Sequence, residues 1–350
     1  TVANADNATG ILVTAGRIAN ITNSGTITID EAYTPTDSDN DGDIDGPFAV
    51  GTGRTAIRID GALTGNLVHS GTIVVEGNNS AGIRVSGPIT GTVTHEGKTT
   101  VTGNNIVGVA LDDVSGNVRL AGEITVRGQG AQGAVLSGDI GGRLQVQSII
   151  TATGYRTVPA PTDTSKLDAD DLLQGGSALV IEGNVARGIV FEIPPPNAVA
   201  SDPDEDDDGI EDAKELSTRI VAYGAAPAVQ IGSASDDIAI GATQGTANGF
   251  GIVLSGTVLG DGVYQGIAGT GMRIGGRGGD VTIANGMQVN GQISGASRGG
   301  NATGLHLAAG TTLPELRNAG TLGAVVSGTT GTGQATALLI DTGASLTTLR

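Results

Sequence analysis

The chain has no cysteine and no tryptophan, and its aromatics, four Tyr and three Phe, make up only 2% of 350 residues. Without cysteine there are no disulfide staples and no thiol catalysis, although compartment is left open. So few aromatics do not suit an ordinary globular core of this length, which draws much of its buried area from Phe, Tyr and Trp. No apolar run approaches the roughly 18 residues of a membrane span. Cations are scarce as well: 18 Lys and Arg stand against 36 Asp and Glu, a formal net charge of −18. That charge repels phosphate backbones and anionic lipid, and argues against nucleic-acid or membrane-surface binding. An initiator Met and a signal peptide are also missing, so the chain reads as a segment of a longer protein.

What is abundant is glycine, 60 residues, together with Val, Ile and Leu in short, regularly placed runs; at 38% apolar the chain is not disordered. A pattern of small residue, apolar, any, apolar recurs eleven times, beginning at Gly10, Ala56, Gly82, Gly108, Gly133, Ala178, Ala228, Gly251, Gly271, Gly304 and Ala337. The steps from Ala56 to Gly133 are 26, 26 and 25 residues, and those from Gly271 to Ala337 are 33 and 33. A second element keeps register with the first: "NLVHSGTIVVEG" from Asn66, "TVTHEGKTTVTG" from Thr92, "NVRLAGEITVRG" from Asn117 and "RLQVQSIITATG" from Arg143. Each alternates apolar and polar residues, meets a turn, and resumes, which is the period of half-buried strands.

A unit of about 25 residues with three short strands cannot bury its apolar side alone and must stack on its neighbours. The expectation is an all-β fold, a right-handed parallel β-helix (β-solenoid) of about eleven coils spaced about 4.8 Å apart, or roughly 50 Å in length. Ile57, Ile83, Val109 and Ala134 should form one interior column, and Leu67, Val93, Val118 and Leu144 another. The same alternation points Asn23, His69, His95, Leu120 and Val146 inward, stacking His69 on His95. Two stacked histidines without a carboxylate set make a poor metal site and read as a polar ladder at a solenoid corner. Glycine-rich matches such as "GQGAQG" at Gly128 and "GASRG" at Gly295 lack the helix their motifs require and read as turns; "GGRGGD" at Gly275 is a solitary resemblance to a β-roll nonapeptide.

Three coils replace the short turn before the repeat strand with insertions, at 31–53, 152–176 and 194–225, all expected at one corner, the working face of a solenoid. They carry 19 of the 36 acidic residues, which leaves the rod close to neutral. The middle one, "TDTSKLDADDLLQGG", has the start and stop signals of a one- or two-turn helix. In the third, "DEDDDGIEDAKE" places Asp204, Asp206 and Asp208 at loop positions 1, 3 and 5, Gly209 at 6, the Ile210 carbonyl at 7, Asp212 at 9 and Glu215 at 12. Hard oxygen donors at alternate positions, a glycine for the sharp turn and a final carboxylate follow the ligand order of a Ca2+ loop. The first insertion repeats this with Asp37, Asp39, Asp41, Gly42, Asp43 and Asp45, but has Phe48 at position 12, so a water or a neighbouring loop must complete the shell. For both, the alternative is a solvated acidic loop. Over these dozen residues each loop resembles the thrombospondin type 3 class of aspartate-rich repeats.

The "NSGTI", "HSGTI" and "NAGTL" turns at Asn23, His69 and Asn318, with the "GIRV"-type strands, resemble the passenger region of a Gram-negative autotransporter or related large surface β-helix protein. That resemblance covers nearly the whole chain, though the family's C-terminal barrel is not in these residues. It implies a non-enzymatic structural or adhesion protein on the outer cell surface, with other copies of itself or cell-surface polymers as partners. The alternative is a polysaccharide-active β-helix, a lyase or hydrolase, which would use exposed aromatics and clustered carboxylates or an Arg or Lys base. The last repeat also stops short of its expected turn after "LR" at Leu349, and more coils are expected to follow.

Overall fold

The stretch from Ala81 to Thr102 shows how one coil is made. Ala81–Val85, Val93–His95 and Lys98–Thr102 form three strands, with the two-residue strand Ile89–Thr90 at the corner between the first two. Inward positions alternate with outward ones, so Ile83, Val85, Ile89, Val93, His95, Thr99 and Val101 are all buried. The turn into the next coil needs a residue in the left-handed region, where a side chain crowds its own backbone unless it is short and polar or absent. The repeats supply Asn79, Asn105 and Gly130 there, with φ of 52°, 54° and 66°. "GQGAQG" is therefore such a turn, whereas "GASRG" is not the turn that the sequence suggests: Gly295 lies within the strand Gln292–Arg298, where a residue without a side chain fits against the neighbouring backbone.

The computed structural model describes residues 2–350 apart from 39, 41, 43, 200, 245, 246, 329 and 330. Among the described residues the coils stack into three long parallel sheets. We call sheet I the one containing Ala81–Val85, sheet II the one containing Val93–His95, and sheet III the one containing Lys98–Thr102. Sheets I and III each have ten strands, and sheet II has twelve because a ladder of short corner strands merges into it at Thr311–Asn318. The fold is a parallel β-solenoid. Ile57, Ile83, Val109 and Ala134 pair in register, as do Leu67, Val93, Val118 and Leu144. These columns belong to one continuous apolar core running through the rod. Among the described residues no helix is long and apolar enough to cross a membrane.

Two larger expectations also need correction. The rod has ten sheet I strands rather than eleven, because "GIVL" at Gly251 forms Ile252–Leu254, which pairs with Ile189–Phe191 and Met287–Val289 in sheet II. A small residue followed by alternation suits either sheet: a Cβ on Gly251 would lie 2.8 Å from Ile283 Cγ2, and one on Gly82 2.4 Å from Thr99 Cγ2. Nor do the three insertions share one corner. The first two join sheet III to sheet I, whereas the third leaves sheet II after Phe191 and enters sheet III at Arg219, so Arg219–Tyr223 is a strand of the rod. The insertions thus flank sheet III on its two sides.

Candidate metal-binding loops

The third insertion folds back on the outer face of sheet II, where alternation turns Arg119 outward. The Arg119 guanidinium donates to the Asp208 carbonyl at 2.7 Å, pairs with the Asp208 carboxylate, and donates to Gln147 Oε1 at 3.0 Å. Gln147 in turn donates to Glu215 Oε1 at 2.8 Å. The acidic loop is therefore tied to the rod at its fifth position, Asp208, and at its last, Glu215. The loop is otherwise shaped by its own carboxylates: Asp204 accepts the amides of Asp208 and Gly209, each at 3.1 Å, and Asp208 accepts that of Ile210 at 2.8 Å. Asp207 at position 4 and Gly209 at position 6 take φ of 53° and 91°.

This winding brings one carboxylate oxygen each of Asp204, Asp206 and Asp208 within 4.8 Å of one another. Oxygens bound to one calcium at 2.3–2.6 Å are at most about 5 Å apart, so the donor set fits a hard cation. A cavity of about 380 Å³ opens on Asp206 and Asp208. Glu215 is held above the usual carboxylate range first by burial and then by Asp206, Asp208 and Asp212, which places it in their electrostatic field. Asp212 accepts the Glu205 amide at 3.0 Å, and Ile210 is buried. Of the six sequence candidates here, three converge, Glu215 is coupled to them, and Asp212 and Ile210 serve the loop's own packing.

The first insertion repeats the local geometry. Asp37 accepts the amides of Asn40 and Gly42 at 2.6 and 3.1 Å, and Asn40 and Gly42, at positions 4 and 6, take φ of 64° and 103°. Asp39, Asp41 and Asp43 lie outside the described residues. Asp45 is buried, accepts the Ser38 hydroxyl at 2.9 Å, and meets two residues that the sequence did not single out, Asp168 and Asp170 of the second insertion. Their carboxylate oxygens all fall within 4.8 Å, making a second group able to hold a metal ion. The second insertion is thus the neighbouring loop whose carboxylates meet that of Asp45. Phe48, where the loop pattern calls for a ligand, presents its ring to the guanidinium groups of Arg127 and Arg156, 5.3 and 4.9 Å from its ring centroid. Arg156 also bonds the Gly46 carbonyl and pairs with Asp170 at 2.8 Å, clasping the two insertions.

Among the described residues the second insertion has no helix, contrary to the sequence expectation. Its acids occupy the amides that a helix would use: Asp163 accepts from Ser165, Asp168 from Asp170, and Asp171 from Asp168. Short polar side chains compete with helical hydrogen bonds in this way. The result directs Asp168 and Asp170 toward Asp45. The sequence shows that the second insertion is acidic and carries "DADD", but no spacing in it pairs these residues with Asp45.

His69 and His95 stack inside the rod as expected, ring centroids 5.1 Å apart and edge-on. Asn23 Nδ2 lies 3.0 Å from His69 Nδ1, and His95 Nε2 lies 2.8 Å from the Thr99 hydroxyl. Burial, then proximity to His69, lowers the pKa of His95 to about 3, and burial lowers that of His69. Both are neutral near pH 7. Neither belongs to a metal-ligating group among the described residues. Comparison with protein-family models, curated proteins and solved structures finds no match for this chain.

Proposed function

We propose that this chain is a non-enzymatic structural or adhesion element of the outer surface of a Gram-negative bacterium. In this reading the rod is a rigid spacer, and calcium-ordered acidic insertions form the surface that meets other copies or cell-surface polymers. The observation that carries it is the pairing of the two metal-competent groups with attachment to the rod. One group joins the first insertion to the second, and the other lies in a loop fixed to sheet II through Arg119. Divalent charge there would offset carboxylate repulsion and stiffen the acidic segments into fixed relief. The autotransporter-like turns support the cell-surface assignment.

Asp204, Asp206 and Asp208, with Glu215 nearby, would hold one ion, and Asp45, Asp168 and Asp170 another. All donors are oxygens, as calcium prefers, and Arg119 competes for Asp208. That places the affinity in the roughly 10⁻⁴ to 10⁻³ M range of extracellular calcium modules. Limited proteolysis in millimolar calcium and in chelator tests the reading. Chelation should speed cleavage several-fold within 31–53, 154–176 and 192–218 while the far-ultraviolet circular dichroism stays β-rich, and should disperse ordered assemblies or abolish adhesion. Asp206→Ala with Asp208→Ala should remove the calcium effect from 192–218 alone. Identical cleavage with and without calcium would return both groups to solvated acidic loops.

A further inference from the structure

We propose that the cleft between the second insertion and the outer face of sheet III is a binding site for an acidic oligosaccharide. The stretch from 158 to 172 arches over the strands Thr257–Gln265, Gln292–Arg298 and Thr321–Ser327, leaving two adjoining cavities of about 610 and 570 Å³. Arg298 and Gly328 line both, so the Arg298 side chain stands at their junction. Arg54, Arg119 and Arg156 are each held by a carboxylate, whereas Arg298 is exposed and engages none among the described residues.

The cleft is preformed. Tyr264 donates from the floor to the Thr157 carbonyl at 2.8 Å, and Tyr155 donates from the insertion to the Gly262 carbonyl at 2.8 Å. The two rings pack edge-on with centroids 4.7 Å apart. Around Arg298 the walls offer Thr162, Thr164 and Ser327, with Leu167 and Leu172 on one side. Asp261, in the second lobe, accepts the Val263 amide at 2.8 Å.

One guanidinium reads one carboxylate through two parallel hydrogen bonds, and neutral hydroxyls suit the hydroxyls of sugar rings. Each lobe falls in the size range of small-molecule sites, too large for a lone phosphate. Phosphate-rich polymers and lipid headgroups call for several cations together, and this cleft has one. The chemistry that fits is a short glycan segment that presents one carboxylate to Arg298 and sugar hydroxyls to the walls, as part of a uronate or sialate chain would. This inference goes beyond the structural reading above and does not depend on the acidic loop at 204–215; the cleft wall is the second insertion, which also carries Asp168 and Asp170.

The test is calorimetric titration of the whole chain with hexasaccharides of polygalacturonate, alginate, hyaluronan and polysialate, in millimolar calcium, which would hold the second insertion in place, and again in chelator, which removes any calcium bridge from sugar to protein. At least one should bind, and its carboxyl methyl ester should bind at least ten-fold more weakly. Arg298→Ala should lose binding by a similar factor with an unchanged circular dichroism spectrum, because the side chain is exposed. The Asp206→Ala, Asp208→Ala double variant should bind as the parent does. Failure of all four glycans to bind, or binding that Arg298→Ala leaves intact, overturns the proposal.

Discussion

The coil at 81–102 and the loop at 204–215 are held together by opposite means. In the coil, backbone groups bond to the coils on either side, and the inward side chains apart from His95 and Thr99 are Val and Ile, which are indifferent to pH, salt and metal. In the loop, backbone amides bond to the loop's own carboxylates, which also repel one another. The coil gains order from its neighbours, as in any one-dimensional stack. The loop gains it from fixed charge, Arg119 and a prospective cation. Stability should therefore respond to core substitutions in the rod and to ionic conditions in the insertions, and exceptions should fall where the two regimes meet.

The base of the first insertion is such a place. Arg54 is fully buried; it bonds Glu31 at 2.9 Å, the Glu76 carbonyl at 2.6 Å and the Ala5 carbonyl at 3.0 Å. Glu31 accepts the amides of Val50 and Gly51, each at 2.7 Å, so one ion pair closes the neck of the insertion without metal. Arg54→Ala leaves a buried carboxylate unpaired and should cost about 3–5 kcal/mol, the largest effect expected here. Because stability in a solenoid is local, hydrogen exchange should accelerate in Thr55–Ile59 and adjacent strands and stay unchanged beyond residue 250. A uniform loss along the rod would show that the coils unfold as one unit.

A smaller effect is expected where the rod itself carries titratable groups. Burial depresses the pKa of His95 to about 3, while the unfolded chain keeps the ordinary value of 6.5. The unfolded state therefore binds protons first as pH falls. Stability is full above about 6.5 and declines toward the folded pKa, by about 2 kcal/mol at pH 5 for this residue. His95→Leu would continue the column into Leu120 and Val146 and should remove that pH dependence from the N-terminal coils. Urea unfolding at pH 5 and 7.5 compares the two proteins; an equal pH response in both would mean that other groups set it.

The same contrast explains what could be read from the sequence. The interior columns were legible because a period of two, repeated at steps of 26, 26 and 25 residues, fixes both face and register. Legibility failed where an insertion reset the count. Ile220, Val221 and Ala222 are all buried, so Arg219–Tyr223 shows no alternation and was merged with the acidic loop before it. Local carboxylate spacing gave Asp204, Asp206 and Asp208. It could not give the meeting of Asp45 with Asp168 and Asp170, which depends on how two insertions lean together above sheet III. Arg54, a lone arginine after a loop, carried no sequence sign of being buried.

Phe48 offers the finest separation of packing from charge. It occupies the loop position where a ligand carboxylate would close the shell, and instead presents its ring to both Arg127 and Arg156. Burial, then Arg156, lowers the pKa of Arg127, as expected for two like charges held together around one ring. Phe48→Leu keeps an apolar side chain of similar bulk but removes both cation–π contacts, each worth about 0.5–2 kcal/mol. Global unfolding should barely change, because the insertion lies outside the stack. Local opening should rise, with cleavage within 31–53 increasing several-fold in chelator and less in calcium, where Asp45, Asp168 and Asp170 would still be bridged. Equal increases in both conditions would show that the aromatic clasp, and not the acidic group, holds the first insertion to the second.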